Sequence, residues 1–157
     1  MSDEIKDEAH LAVLQEQFLA ALEYHRRGDV DSAVKLLKGV LEGEPRLAEP
    51  RLELGRIELD MGHLEEAELQ TREGLRILLS GGQWVDDLSE EQMQSVAHGQ
   101  LAEILRLRAD SDEVLFGDPE VFKGLVKESK AHFDQAAKLD PENTHAEFFA
   151  IRMEGED

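Results

Sequence analysis

The sequence predicts an all-α fold in which antiparallel helical hairpins stack one on the next. Two near-copies carry that expectation. Gly28-Asp29-Val30-Asp31-Ser32-Ala33-Val34 and Gly62-His63-Leu64-Glu65-Glu66-Ala67-Glu68 each run from a glycine through acids to an alanine, and both the glycines and the alanines stand 34 residues apart. A fixed period of that length marks a two-helix unit that cannot bury its apolar side alone and leans on its neighbours. The third observation is that no segment reads as a strand. Apolar residues recur at helical spacing, and with aromatics at only 5% the core falls to leucine and alanine.

Within each copy the residues have separate tasks. Glycine tolerates the positive φ that a tight helix-to-helix turn demands. The acids after it enter the first turn of the next helix, where the dipole favours negative charge. The alanine lets paired helices approach closely, and Ala20, Ala21 and Gly55 serve the same contact from the preceding helices.

In chain order, residues 3–27 are expected as one long helix, with Ser2 or Asp3 as its cap and Val13, Leu14, Phe18, Ala21, Leu22 and Tyr24 at helical spacing. Its partner, 30–42, carries Ala33, Leu37, Val40 and Leu41 and ends at Gly43 to Pro45. Pro50 suits the first turn of a helix running to Met61. There Leu52, Leu54, Ile57 and Leu59 do not share one face, so contact on two sides is expected. A helix over 64–79 stops at Ser80-Gly81-Gly82, and Trp84 lies in a connection longer than the period requires, either as an anchor over a core edge or as a contact for a partner. Ser89-Glu90-Glu91-Gln92 has the pattern of a capping box and opens a helix to Ala109. Residues 110–118 then interrupt the period, which is exceeded by about fifteen residues between Leu105 and Ser129. Asp118 and Pro119 start a further helix to Leu139, and a last helix over 142–154 would cap the stack. The total is about seven helices.

These residues resemble the tetratricopeptide repeat family. Ala21, Tyr24, Gly28, Ala33, Leu37 and Pro45 fit its pattern over residues 14–47; Leu54-Gly55, Gly62, Ala67 and Leu75 fit it over 48–81. An interrupted third copy, 89–141, supplies Leu101-Ala102, Leu105, Phe133, Ala136 and the ending Leu139-Asp140-Pro141-Glu142-Asn143. Glu58 and Thr71 depart from the pattern, standing where large apolar residues are expected. The resemblance covers roughly four fifths of the chain. It implies one domain, a right-handed superhelix, and a concave side lined by the first helix of each hairpin. The residues it places there for partner binding are Phe18, Leu22 and His25, then Leu52, Arg56 and Leu59, then Gln100, Glu103 and Arg106. Some members clamp the terminal carboxylate of chaperone tails with lysines and asparagines. The matching places here hold Phe18, Leu22 and Glu53, which argues against that ligand.

Composition narrows the partners. Thirty-six acidic against 17 basic residues give a net charge of −19. That field repels phosphate backbones and anionic membrane surfaces, so neither nucleic acid nor membrane is expected, and it attracts basic partners. The chain contains no cysteine, which removes disulfides and thiolate metal sites. The first residues are acidic and no apolar run approaches bilayer-spanning length, so no signal peptide and a cytoplasmic location are expected.

Signals for chemistry are weak. His10, His25, His63, His98, His132 and His145 are scattered without i, i+4 spacing. Asp7-x-x-His10 and Glu142-x-x-His145 are isolated halves of a di-iron pattern. Asp110-Ser111-Asp112-Glu113 lacks the glycine and distal glutamate of a calcium loop, and no triad is arranged. The reading is therefore non-enzymatic, with no catalytic residue, metal or cofactor: a protein-interaction module for an apolar or amphipathic, basic-flanked segment. Two alternatives stand beside it. One is a dedicated chaperone for a secreted substrate, since this chain is similar in size and charge to the small, acidic, three-repeat chaperones of the type III secretion class. The other is a structural subunit that self-associates, as a homodimer for example, through its apolar surface.

Overall fold

The computed structural model describes residues 8–81 and 89–142. Seven helices are present among them: α1 Glu8–Arg26, α2 Val30–Gly43, α3 Ala48–Asp60, α4 Leu64–Leu79, α5 Glu90–Ala109, α6 Asp112–Leu115 and α7 Pro119–Leu139. The start of the expected first helix, Trp84, His145 and the expected cap over 142–154 lie outside the described residues, apart from Glu142.

The two repeated turns are built alike. Gly28 has φ +88° and Gly62 φ +81°. In the first turn the Gly28 amide donates to His25 O (3.0 Å) and the Asp29 amide to Tyr24 O (2.9 Å). In the second, Gly62 donates to Leu59 O (3.0 Å) and His63 to Glu58 O (2.9 Å). This paired return satisfies carbonyls that a helix end leaves open, and it needs a left-handed residue where each glycine stands. Asp29 then caps α2 through the Ser32 amide, whereas His63 offers α4 no side-chain cap. Ser89 and Gln92 form the capping box of α5, and Asp118 caps α7 with Pro119 behind it.

The hairpins pair α1 with α2, α3 with α4 and α5 with α7; α2 packs on α3 and α4 on α5. Ala33 and Ala67 are fully buried at the crossings they were expected to close. α3 is contacted on two sides: Leu54 and Ile57 join Leu37 and Val40 of the first hairpin, while Leu52 joins Leu75, Leu78 and Leu101. Leu47 precedes this helix, which begins at Ala48 and holds Pro50 in its first turn, where it was expected.

Thr71 departs from the repeat pattern for a physical reason. It is buried, and its Oγ1 accepts a 2.9 Å hydrogen bond from Gln100 Nε2, which also donates to Leu52 O at 2.9 Å. A polar clamp thus joins α3, α4 and α5 where other copies use apolar bulk. Between α5 and α7, Ser95 donates to Ala136 O and Ser129 to Ala102 O, both at 2.7 Å. Within the 110–118 interruption, α6 turns once and the chain enters α7 at Asp118.

A candidate groove on the first helices

The first helix of every hairpin contributes to one open cleft of about 260 Å³. α1 supplies Phe18 and Leu22; α3 supplies Glu49, Leu52, Glu53 and Arg56; α5 supplies Met93, Val96 and Gln100. Spacing explains the convergence. Glu49, Leu52 and Arg56 stand at i, i+3 and i+7 on α3, and Met93, Val96 and Gln100 repeat that spacing on α5, so each set shares a helix face. The floor is apolar, and carboxylates border it. Glu49 is buried, Glu53 Oε1 contacts His25 Nδ1 at 2.6 Å, and the Arg56 guanidinium donates to Glu103 Oε2 at 3.4 Å.

The expected partner-binding residues fall into three groups. Phe18, Leu22, Leu52, Arg56 and Gln100 line the cleft together. His25 and Glu103 border it through their contacts with Glu53 and Arg56; His25 also lies 3.6 Å from Asp60. Leu59 and Arg106 are placed elsewhere. Leu59 is 7% exposed and packs against Ala67 and Ile104 inside the stack, so it offers a partner almost no surface. Arg106 pairs with Asp110 (3.3 Å) at the far end of α5.

Glu49, Met93 and Val96 escaped the sequence reading, and the cause is register. The period between α1 and α3 is 34, as Phe18 and Leu52 show, but the long connection before α5 stretches it to 44, as Leu52 and Val96 show. An unbroken period of 34 would count to 86, 90 and 93 for the third set, so the period by itself does not locate the cleft residues of α5.

A second cluster left no trace in the sequence pattern. His98 of α5 and His132 of α7 meet Nδ1 to Nδ1 at 2.8 Å, one ring's N–H donating to the other. Their centroids are 5.1 Å apart, the separation left by that contact plus one ring radius at each end, so the rings meet edge to edge. A chain of charges continues from them: His132 to Glu128 (3.5 Å), Glu128 to Arg72 (2.8 Å), Arg72 to Glu68 (2.8 Å) and Glu68 to Arg108 (2.5 Å). The two histidines are 34 residues apart in sequence, on helices that the fold makes neighbours. Burial, then the adjacent His132, pushes the His98 pKa down to about 4. Burial also lowers His132, against the pull of Glu128. Glu128 is held below its ordinary range because the hydrogen bond and charge of Arg72 outweigh its own burial.

These shifts couple folding to pH. Between the ordinary histidine value near 6.5 and about 4, the unfolded chain binds a proton at His98 that the folded chain refuses. Stability should therefore fall as pH drops through that window. Because the ring keeps some contact with solvent, the loss should be about 1 kcal/mol. Urea unfolding at pH 7.5 and 5.5 measures it, and His98→Gln should flatten the slope. Equal slopes in the two proteins would remove His98 as the cause.

Among the described residues no group of three or more His, Cys, Asp or Glu could hold a metal ion, and no helix is long and apolar enough to cross a membrane. Asp110, Asp112 and Glu113 are exposed.

An all-α stack of hairpins, with matched glycine turns and a cleft on the first helices, defines a class: helical-repeat scaffolds. Residues 24–76 match the sequence family described as tetratricopeptide repeat. The first tetratricopeptide-repeat domain of Spaghetti (RPAP3), solved with the HSP90 peptide SRMEEVD, superposes with a TM-score of 0.64 over 96% of this chain and 94% of that one, at 13% identity. Such an identity shows the fold alone. A search of curated proteins finds no match. Residues 24–76 thus carry a match to the tetratricopeptide repeat, and the described residues share the fold of a tetratricopeptide-repeat domain.

Proposed function

We propose that the cleft across α1, α3 and α5 receives an apolar or amphipathic segment of a partner protein, flanked by basic residues, and that the protein performs no catalysis. One observation carries this reading: the first helices of all three hairpins converge on a single cleft whose floor is apolar and whose carboxylates, Glu49 and Glu53, face one arginine already engaged by Glu103. A net charge of −19 adds long-range attraction for a basic segment and speeds its encounter. The similar domain of Spaghetti was solved with an acidic peptide. Here Glu53 stands in the cleft together with Glu49, an arrangement that disfavours such a ligand.

Two or three apolar side chains seated on this floor contribute roughly 1.5–3 kcal/mol each before ordering costs, which corresponds to affinity of order micromolar. The test uses cleft residues that are open to solvent. Leu52 is only 5% exposed and Leu59 lies in the core, so charges there would unfold the stack. Leu22 is half-buried and Val96 is 46% exposed. Leu22→Asp/Val96→Asp should keep its helical circular dichroism and weaken binding of a basic amphipathic peptide by at least tenfold in fluorescence anisotropy. Undiminished binding by the folded double variant rejects the groove. If an acidic peptide binds more tightly than the basic one, the charge assignment is wrong.

A further inference from the structure

The interruption of the repeat holds an apolar group that the stack does not use. α6 is a single turn, fastened by Val114, which joins the core cluster with Ala109 and Leu125. Hydrogen bonds close the turn: the Phe116 amide donates to Asp112 O at 2.9 Å, the Gly117 amide to Val114 O at 3.1 Å, and Ser111 Oγ to Arg108 O at 2.6 Å. It is also tight, since a Cβ at Gly117 would stand 2.9 Å from Glu113 O. Successive residues of a helical turn point about 100° apart, so with Val114 turned into the core Phe116 is turned out. Phe116 is 87% exposed, more than any other large apolar side chain among the described residues, and Leu115 and Val121 are exposed near it in the chain. A single exposed apolar side chain is ordinary. Three within seven residues, on a turn pinned so that the ring cannot fold back, form the kind of apolar patch that a partner covers, with an aromatic anchor at its centre.

We infer that the α6 turn is a second docking surface, on which Phe116 anchors an amphipathic helix of a partner protein whose apolar stripe is flanked by lysines or arginines. Charge selects this occupant. Residues 110–121 hold five carboxylates and no lysine or arginine. Asp110 is paired with Arg106 at 3.3 Å and Glu120 with Lys123 at 3.5 Å, while Asp112, Glu113 and Asp118 are exposed on both sides of Phe116 in the chain. A helix with basic flanks closes over the ring and meets those carboxylates together. A second copy docked about a two-fold axis would bring the same five carboxylates against them, and an acidic helix would be repelled likewise. None of these residues lines the cleft on α1, α3 and α5, so the inference is independent of that groove.

The probe is a labelled helical peptide of leucine and lysine, and the full chain is used with the groove blocked by Leu22→Asp/Val96→Asp. Fluorescence anisotropy should still find binding there, weaker than to the unaltered chain, and amide exchange should slow over residues 112–121 when the peptide is added. Adding Phe116→Ala, a change at an exposed position, should weaken the remaining binding at least tenfold while helical circular dichroism stays the same. Adding Asp112→Lys/Glu113→Lys instead, both exposed positions, should weaken it as well and let a leucine–glutamate peptide bind more tightly than before. Binding that survives Phe116→Ala undiminished overturns the inference. So does slowed exchange over 112–121 that polylysine produces equally well, which would reduce the surface to charge alone. A sedimentation mass that rises with protein concentration and falls with Phe116→Ala identifies a second copy as the occupant and overturns it too.

Discussion

Replacing Phe133 with alanine should lower stability by about 3–5 kcal/mol, whereas Phe116→Ala should change it by less than about 0.5 kcal/mol. The contrast is one of place. Phe133 is 0% exposed and is among the largest fully buried side chains, packed in the cluster that joins α5, α7 and the end of α4. Removing its ring leaves a cavity that flanking helices, pinned by the Ser95 and Ser129 hydrogen bonds, can close only in part. Phe116 is 87% exposed just after α6 and loses little when truncated. Against a total stability of about 5–15 kcal/mol the Phe133 change is large. Repeat stacks couple mainly through nearest neighbours, so the damage should be local first. Amide exchange should accelerate in α7 and α5 before α1 and α2, and chemical unfolding should lose its single transition. Equal midpoints for the two alanine variants would mean that the last hairpin does not hold the stack together.

The repeat was legible because it is written in local physics. A residue that must take positive φ at Gly28 and again at Gly62, with a buried alanine five positions on, leaves its mark whatever surrounds it. The interruption at 110–118 and the start of α7 were readable for the same reason, since Asp118 and Pro119 act within one turn. What the sequence hid depends on connections. The stretch before α5 carries no periodic signal that fixes its length, so nothing in the repeat assigns Met93 or Val96 to the cleft. Leu59 has the spacing of a groove residue, yet the approach of α4 and α5 covers it with Ala67 and Ile104. His98 and His132 share no local pattern at all. They become neighbours only when α7 lies along α5, and no spacing rule within a helix could announce that.

The same dependence on neighbours explains Gly55. Gly55→Ala should destabilise the protein by about 1–3 kcal/mol, although alanine is the better helix former by about 1 kcal/mol. A Cβ at this position would lie 2.5 Å from Thr71 Oγ1, 2.9 Å from Gln100 Nε2 and 3.3 Å from Ala67 O. The amide of Gln100 could swing aside only by giving up its bonds to Thr71 and to Leu52 O. The threonine is fixed by its own helix. So the missing side chain at 55, the hydroxyl at 71 and the amide at 100 are one device, in which α3 comes close enough for α5 to bond to its backbone. Thr71→Ala alone should cost roughly 1–2 kcal/mol by leaving part of the buried amide unsatisfied. The pair behaves differently, because removing the hydroxyl clears the nearest obstacle to the new methyl group. Gly55→Ala/Thr71→Ala should therefore be more stable than the sum of the single changes predicts, by about 1 kcal/mol or more in a double-mutant cycle read from urea midpoints. Strict additivity would show that the two positions do not meet, and a stabilised Gly55→Ala would show that the crossing is looser than the hydrogen bonds of Gln100 imply.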